Sequence, residues 1–238
     1  NLAPEQVKNF TQEAVRQLGL KGKSWTRTRD VSVDKAQQAI FNKAGSSTDS
    51  ALAALFVPVG YNESTSSACS AMLGQIISPW FYNQLRTQEQ LGYAVFAFPM
   101  PVGRQWGIGF LLQSSEKQPD YLWKRYQAFF PQVESRLRTL NAQDFAHIQQ
   151  SIINDMQQAP QTLGEEASQV SKDFDRDNLN FDSRDKVVAE IRQLTPQKLA
   201  DFFHQAVLAR QGMTILSQVS GSQSPQARYA APEGWPVY

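Results

Sequence analysis

The sequence has little cysteine and histidine, and it carries no excess of charge of either sign. Cys69 is the single cysteine among 238 residues, which excludes an internal disulfide. The 23 basic and 22 acidic residues leave a net charge of +1 at pH 7. That balance produces no broad positive field for nucleic acid or for an anionic membrane. No apolar run approaches the roughly 20 residues that cross a bilayer. We therefore predict neither a nucleic-acid partner nor a membrane partner.

Potential metal ligands are also scarce. His147 is followed by Ile-Gln-Gln and His204 by Gln-Ala-Val, so neither begins a His-x-x-Glu-His zinc motif. Isolated histidines without a nearby cysteine are poor zinc ligands. The acidic run at 173–178 lacks the glycine and the glutamate that a calcium loop needs at its sixth and twelfth positions. We predict no metal site in this chain, an exposed His147, and a His204 that packs partly against a sheet.

Cys69 has two possible roles. Its helical spacing with Leu73 and Ile76 indicates a small buried hydrophobe on the apolar face of a helix. A catalytic thiol would need a histidine partner, and no motif supplies one, so the core role is favoured. A single cysteine is compatible with the periplasm or the cytosol. The chain begins at Asn1, without methionine or a signal peptide, inside a predicted helix. We therefore expect a fragment of a longer polypeptide.

Apolar periodicity predicts an α+β domain with a mainly antiparallel sheet and helices packed on one of its faces. The first helix spans residues 3–18, and a polar break follows it at 19–23. The further predicted elements are an extended segment at 25–33, a pair of strands at 38–42 and 50–59, a helix capped within 64–67, a hairpin of 93–98 and 106–114, helices at 120–140, 142–157, 162–173, 183–193 and 195–209, and a strand at 213–219.

Several prolines and glycines refine this pattern. Ser78 and Pro79 predict a helix restart, with serine as the cap and proline at the first helical position. Pro131 predicts a bend or a break in the long helix around it. Gly107 and Gly109 leave one face of their strand bare, which indicates that another backbone approaches closely. That neighbour could be the packed core, another domain or a substrate, and the sequence leaves these alternatives open.

The most informative segment is the run Leu-Arg-Thr-Gln-Glu-Gln-Leu-Gly-Tyr at 85–93. We predict a helix over residues 79–90, with Arg86 near its end. Gly92 would then adopt the positive φ that terminates a helix, and Tyr93 would begin an apolar strand. A guanidinium and a phenol held at such a turn could both donate hydrogen bonds to one peptide carbonyl.

Each of these polar residues also has a purely structural interpretation. Arg86 could interact with the last carbonyls and the dipole of its helix, and spacing alone favours this role. Tyr93 could be an ordinary strand aromatic with its hydroxyl at the surface. Tyr82 lies one turn before Arg86 and on the same face. It lines a binding surface or packs into the core, but three successive aromatics, Trp80, Phe81 and Tyr82, cannot all face one core.

The segment at 85–93 resembles the signature of the last domain of pitrilysin-type zinc peptidases, the family of insulin-degrading enzyme. The resemblance covers nearly the whole chain and extends to the flanking sequences at 75–78, 108–114, 178–181 and 231–235. It implies a pitrilysin-type metallopeptidase domain at residues 23–220. Residues 1–22 would then be the terminal helix of a preceding domain, and residues 221–238 an irregular tail.

The resemblance also implies a function. Family members bind one zinc ion through His-x-x-Glu-His, so the N-terminal half of the same polypeptide would hold the zinc and this chain would close the chamber. The residues matching Arg86 and Tyr93 contact the peptide substrate near the scissile bond, the tyrosine stabilising the oxyanion, and the position of Tyr82 lines the peptide-binding surface. We expect a periplasmic zinc metalloendopeptidase for short polypeptides, inactive as this fragment. The alternative is a non-catalytic peptide-binding or structural subunit of the same fold.

Overall fold

The computed structural model describes residues 2–19, 21–22, 33–222 and 226–238. The chain forms two compact units, residues 1–30 and residues 31–238. The first unit contains helix α1 (Pro4–Gln17), as predicted, and no residue of this helix is buried. The predicted extended segment at 25–33 lies, apart from Val33, outside the described residues.

One sheet organises the larger unit, and it confirms the predicted α+β class. Its order is β1-β5-β2-β4-β3, and every neighbouring pair is antiparallel except β1 with β5. The strands are β1 (Gln37–Ala44), β2 (Ser50–Pro58), β3 (Ala94–Val102), β4 (Gln105–Ser114) and β5 (Gly212–Ser220). The two strands predicted at 38–42 and 50–59 are present as β1 and β2, but β5 lies between them in the sheet. Turn chemistry between two strands does not reveal a third strand that inserts from far along the chain.

The hairpin of β3 and β4 is confirmed, and Gly103 adopts φ 56° at its turn. The structure also identifies what approaches the two bare glycines of β4. A Cβ on Gly107 would stand 2.0 Å from the carbonyl oxygen of Phe56 in β2. A Cβ on Gly109 would stand 2.8 Å from a ring carbon of Phe98 in β3. Both close neighbours belong to this chain, so the packing alternative accounts for the two glycines.

Six helices follow in the larger unit, and the long ones cover one face of the sheet. They are α2 (Glu63–Tyr82), α3 (Pro119–Thr139), α4 (Ala142–Gln157), α5 (Leu163–Asp175), α6 (Ser183–Gln193) and α7 (Pro196–Phe203). Helix α2 packs on β3 and β4, α3 packs on β2 and α7, and α4 and α6 lie against α2. Asn62 caps α2 through its side chain, so the cap predicted within 64–67 is wrong by a few residues. No helix in the described part of the chain is long and apolar enough to cross a membrane.

Helix α2 is continuous through Pro79, so the predicted restart at Ser78 and Pro79 is wrong. The reason is tertiary packing: Ile77 and Phe81, on either side of the proline, are fully buried and hold the helix on the sheet. After Tyr82 the helix widens into a π-helical segment, Asn83–Gln88. A second π-helical segment, His204–Leu208, follows α7 in the same way. Pro131 likewise lies inside α3 without dividing it.

The described residues of the C-terminal tail form no regular element beyond one bridge, but they are firmly docked. Val237 bridges Ile40 of β1, and the Tyr238 amide donates to the Ile40 carbonyl at 2.7 Å. Trp235 packs 6.3 Å from Trp123 of α3, with the Arg210 guanidinium 5.3 Å from the Trp235 ring. The tail therefore covers the β1 edge of the sheet, whereas prolines at 99 and 101 interrupt the amide row of the opposite edge strand, β3.

Candidate functional site

The site predicted from the signature is built on the π-helical end of α2. Leu85 and Leu91 are buried, and the Leu91 amide donates to the Leu85 carbonyl at 2.9 Å, which folds the chain back towards the sheet. Glu89 accepts a hydrogen bond from the Nε of Arg125 in α3 at 2.7 Å. This ion pair lowers the pKa of Glu89. Wide π-helical turns are frequent at functional sites.

The prediction that Gly92 adopts a positive φ is wrong, but the position does require a glycine. Gln90, with φ 53°, is the residue that adopts the left-handed conformation. At Gly92 the requirement is space, because a Cβ there would stand 1.8 Å from the carbonyl oxygen of Gln113 in β4. The chain thus passes directly over the end of β4 before Tyr93, and this contact sets where β3 begins.

Arg86 lies half-buried in the π-helical segment. Within the described residues its guanidinium makes no ion pair and no hydrogen bond. An arginine always carries its charge and has five N–H donors.

The three successive aromatics point in different directions, as predicted. Phe81 is fully buried, whereas Trp80 packs 4.7 Å from Phe129 and lies under the guanidinium of Arg136. Tyr82 is 45% exposed. Its exposure fits a residue that lines a binding surface, and that role stays a prediction.

Tyr93 is 56% exposed just before β3, and two polar side chains that the sequence did not indicate affect the pKa of its hydroxyl. They are Asp49, just before β2, and Gln113 in β4. The pKa of Tyr93 is raised, first because its hydroxyl shares a hydrogen bond with the Asp49 carboxylate. Gln113 also donates from Nε2 to Oδ2 of Asp49 at 3.1 Å. Only the register of three strands brings these residues together, so no local pattern could have identified them.

The sheet face opposite the helices is apolar, and no helix among the described residues of this unit covers it. Alternate residues of β3 and its neighbours point to this open face, and they are small or hydrophobic rather than charged. They include Phe96, Phe98, Met100, Leu111, Ala51, Ala53, Leu55 and Ile215. Gln113 and Asp49 occupy the same face at the end of the sheet where β3 begins. An exposed apolar face of this extent is typical of an interaction surface.

The other candidate residues do not form a site. Cys69 is buried, and desolvation raises its pKa to about 12, which confirms the predicted core role. His147 is exposed as predicted, on the rim of an open cleft of about 560 Å³ between α2, α3 and α4 that neither Arg86 nor Tyr93 lines. The prediction that His204 packs against the sheet is wrong, because the π-helical turn directs it outwards. Its side chain is 49% exposed, with Nδ1 3.1 Å from Glu134 of α3.

The fold is that of pitrilysin-type metallopeptidase domains, and the whole chain is similar in sequence to a pitrilysin-type peptidase. Residues 72–171 match the family profile described as the PQQ synthase PqqF-like C-terminal lobe domain 4. The chain is 66% identical over its whole length to Protease 3 of Salmonella typhi and spans 25% of that relative. It is 35% identical over 130 residues to human insulin-degrading enzyme, covering 54% of this chain and 13% of that relative. The prediction of a pitrilysin-type chain, made from the signature and its flanks, is confirmed.

Solved structures agree with these comparisons. The crystal structure of pitrilysin superimposes with a TM-score of 0.96 at 65% identity, over 100% of this chain and 25% of that one. A peptidase M16 inactive domain from Pseudomonas fluorescens matches with a TM-score of 0.64 at 10% identity, over 95% of this chain and 53% of that one. The second match is a likeness of fold alone. The chain therefore spans about a quarter of the curated relatives that it matches over its whole length.

Proposed function

We propose that this chain is the C-terminal, non-zinc-binding domain of a periplasmic zinc metalloendopeptidase that degrades short polypeptides. The chain is 66% identical to Protease 3 over all of its 238 residues, and it spans 25% of that relative. This similarity supports the assignment. Residues 1–22 would be the terminal helix of the preceding domain, which explains why Phe10 and Leu18 of the first unit are exposed. Residues 23–220 would be the C-terminal domain, and residues 221–238 its docked tail.

The proposal rests on the contacts of the Arg86 guanidinium and on the exposure of Tyr93. Leu85 and Leu91 of the signature are buried and Glu89 pairs with Arg125, whereas the Arg86 guanidinium has no partner among the described residues and Tyr93 is exposed. A fixed positive charge and a phenolic donor suit the carbonyl of a bound peptide and the negative charge that develops on it. Donors aimed at developing charge stabilise the transition state more than the ground state.

No group of three or more His, Cys, Asp or Glu side chains in the described part of the chain could hold a metal ion. The zinc ion would be bound by the N-terminal half of the same polypeptide, where such an ion activates water and polarises a carbonyl. The contribution of this chain is to bind and orient the peptide. Its apolar open face and Tyr82 would form part of the chamber wall that contacts extended, unfolded substrates.

The alternative is a non-catalytic peptide-binding or structural subunit. The apolar open face favours it, because such a face could bind peptide without any chemistry. A His-x-x-Glu-His motif in the polypeptide that precedes this chain would favour the enzyme.

The test is complementation. The chain is mixed with the zinc-bearing remainder of its polypeptide, and the cleavage of a quenched fluorescent peptide is followed. We expect no cleavage by the chain alone, and we expect Arg86→Ala and Tyr93→Phe each to lower kcat/KM about tenfold or more. Arg192→Ala and Tyr121→Phe, on exposed faces of α6 and α3, are the matched controls. Unchanged turnover in both site variants, with peptide still bound, would support the non-catalytic alternative.

A further inference from the structure

Helix α5 carries an apolar stripe on one of its sides, and this stripe faces solvent. Its members recur every three or four residues and are Leu163, Ala167, Val170 and Phe174. All four are exposed, Leu163 by 80% and Val170 by 47%. Among the described residues, α5 makes no extensive contact with another helix or strand. A surface helix normally turns its apolar stripe towards a core, whereas this stripe is turned away from the core of its own unit.

The two ends of α5 are held by hydrogen bonds, although its sides are not packed. The hydroxyl of Thr162 accepts from the amide of Glu165 at 3.2 Å and so caps the first turn. After the last turn, the buried Asp173 accepts from the Asn178 side chain at 3.1 Å and from the Ser183 amide at 3.2 Å. A helix of 13 residues is marginal in water on its own. These end contacts therefore keep the helix folded while its apolar side stays open.

The end of α5 lies close to the point where the preceding residues join the larger unit. Val33 is the first described residue of that unit, and the Gln105 side chain holds its amide at 2.6 Å and its carbonyl at 3.1 Å. Arg104, the residue before Gln105, donates to the carbonyl of Arg176 at 3.0 Å. Because Arg176 immediately follows α5, the polypeptide that precedes Val33 reaches the unit near this helix.

The stripe is also distant from the residues proposed to contact substrate. Arg176 forms an ion pair with Glu63, the first residue of α2. Arg86 lies beyond the last residue of α2, in the π-helical segment. Helix α2 has 20 residues and is therefore about 30 Å long. A peptide carbonyl bound at Arg86 would lie about that far from the end of α5, so it would not cover the stripe.

We propose that the apolar stripe of α5 is the docking surface for the domain that precedes this chain in the same polypeptide. This inference rests on the proposed function, in which the chain is the last domain of a longer peptidase. The chain spans 25% of Protease 3, so most of such a polypeptide would lie outside it. The attachment point at Val33 makes the preceding domain the nearest partner, and the stripe fits an apolar patch on that domain.

The first test measures whether the stripe is covered in the complete polypeptide. Val170→Cys places a thiol on the stripe, and Ser168→Cys, exposed and directed away from the stripe, is the matched control. Maleimide labelling at each position is quantified by peptide mass spectrometry in the chain alone and in the full-length polypeptide. Cys69 is buried and does not compete for the reagent. We expect labelling at position 170 to be about tenfold slower or more in the full-length polypeptide, and labelling at 168 to be unchanged. Equal labelling at 170 in both forms would overturn the proposal.

The second test measures whether apolar contact drives the docking. The affinity of the chain for the remainder of its polypeptide is measured by calorimetry without peptide substrate. Val170→Asp should raise Kd about tenfold or more, because it places a charge on a surface that becomes dry, whereas Ser168→Asp should not. Val170→Ser repeats the test with a milder change and should raise Kd in the same direction. Unchanged affinity in both Val170 variants contradicts the docking role.

Two further outcomes separate this inference from its competitors. If the chain alone self-associates and Val170→Asp abolishes that association, the stripe binds a second copy, and the preceding domain is not its partner. If labelling at 170 slows only when peptide substrate is added, the stripe belongs to the substrate surface instead. Neither test requires cleavage, so a failure of the proposed peptidase function is recognised separately, by the absence of turnover in the complemented enzyme.

Discussion

Replacing Gly92 by alanine tests whether this glycine is required by close approach rather than by backbone conformation. The added Cβ would stand 1.8 Å from the carbonyl oxygen of Gln113, whereas ordinary contact begins at 3.4 Å. The obstacle is the backbone of β4, so it cannot swing aside as a long side chain could. The beginning of β3 would have to move by more than 1 Å, which opens the pairing of Ala94 with Gln113.

The expected cost follows from two contributions. Overpacking a tight site costs about 1–3 kcal/mol, and each hydrogen bond lost from the end of the ladder adds about 0.5–1.5 kcal/mol. A total of about 3 kcal/mol corresponds to a fall in Tm of about 6–12 °C, since a domain of this size loses about 2–4 °C per kcal/mol.

The assay is thermal unfolding of the chain followed by circular dichroism. Gly164→Ala is the control, because its added Cβ would meet nothing closer than the Thr162 hydroxyl at 3.9 Å and the residue lies in helix α5. That variant should match or exceed the wild-type Tm, since alanine is the better helix former. If Gly92→Ala unfolds within about 2 °C of wild type, the close approach of this segment to β4 is not the reason for the glycine.

Three further predictions concern the core, an ion pair and the tail. The Cys69 thiol, buried and with its pKa raised to about 12, should resist a disulfide reagent at pH 8 until the chain unfolds, and rapid labelling of the folded chain would contradict this. Glu89→Gln should cost about 1 kcal/mol at neutral pH by removing the partner of Arg125. Because the folded pKa of Glu89 is depressed, its contribution is complete above the ordinary value of 4.5 and is lost as pH falls through the folded pKa. A Tm difference that is the same at pH 7 and pH 3 would refute that linkage. Trp235→Ala should destabilise the chain by about 2 kcal/mol through lost packing of the tail, whereas Leu163→Ala, at an exposed position, should not.

The sequence predicted well those elements whose ends are set by local chemistry. Asn141 caps α4, and Thr195 followed by proline begins α7, because side-chain caps and a proline in the first turn act over only a few residues. The same local logic failed at Pro79, where burial on both sides of the proline outweighed its helix-breaking tendency. The parallel pairing of β1 with β5 and the two π-helical segments were also missed, because they depend on contacts between distant parts of the chain.

The residues of the candidate site likewise include some that the sequence identified and some that it did not. Arg86 and Tyr93 stood out because they belong to one continuous run of residues, and that run carried the resemblance. Asp49 and Gln113 could not be identified, since an acidic residue in a turn and a glutamine in a strand are ordinary on their own. They are brought together only by the pairing of β2 with β4, which lets the Gln113 side chain donate to Asp49.

Some residues of the signature are explained by packing and others are not, and this difference is the strongest structural reason to assign the signature a function. Leu85 and Leu91 are buried in the core, and Gly92 permits the close passage over β4. Burial and close packing account for these residues without any reference to a ligand. Among the described residues no contact accounts for the guanidinium at position 86, and the side chain of Tyr93 is largely exposed. A fixed cation at a helix end and a phenol just before a strand are therefore the two groups that we propose for binding a peptide carbonyl.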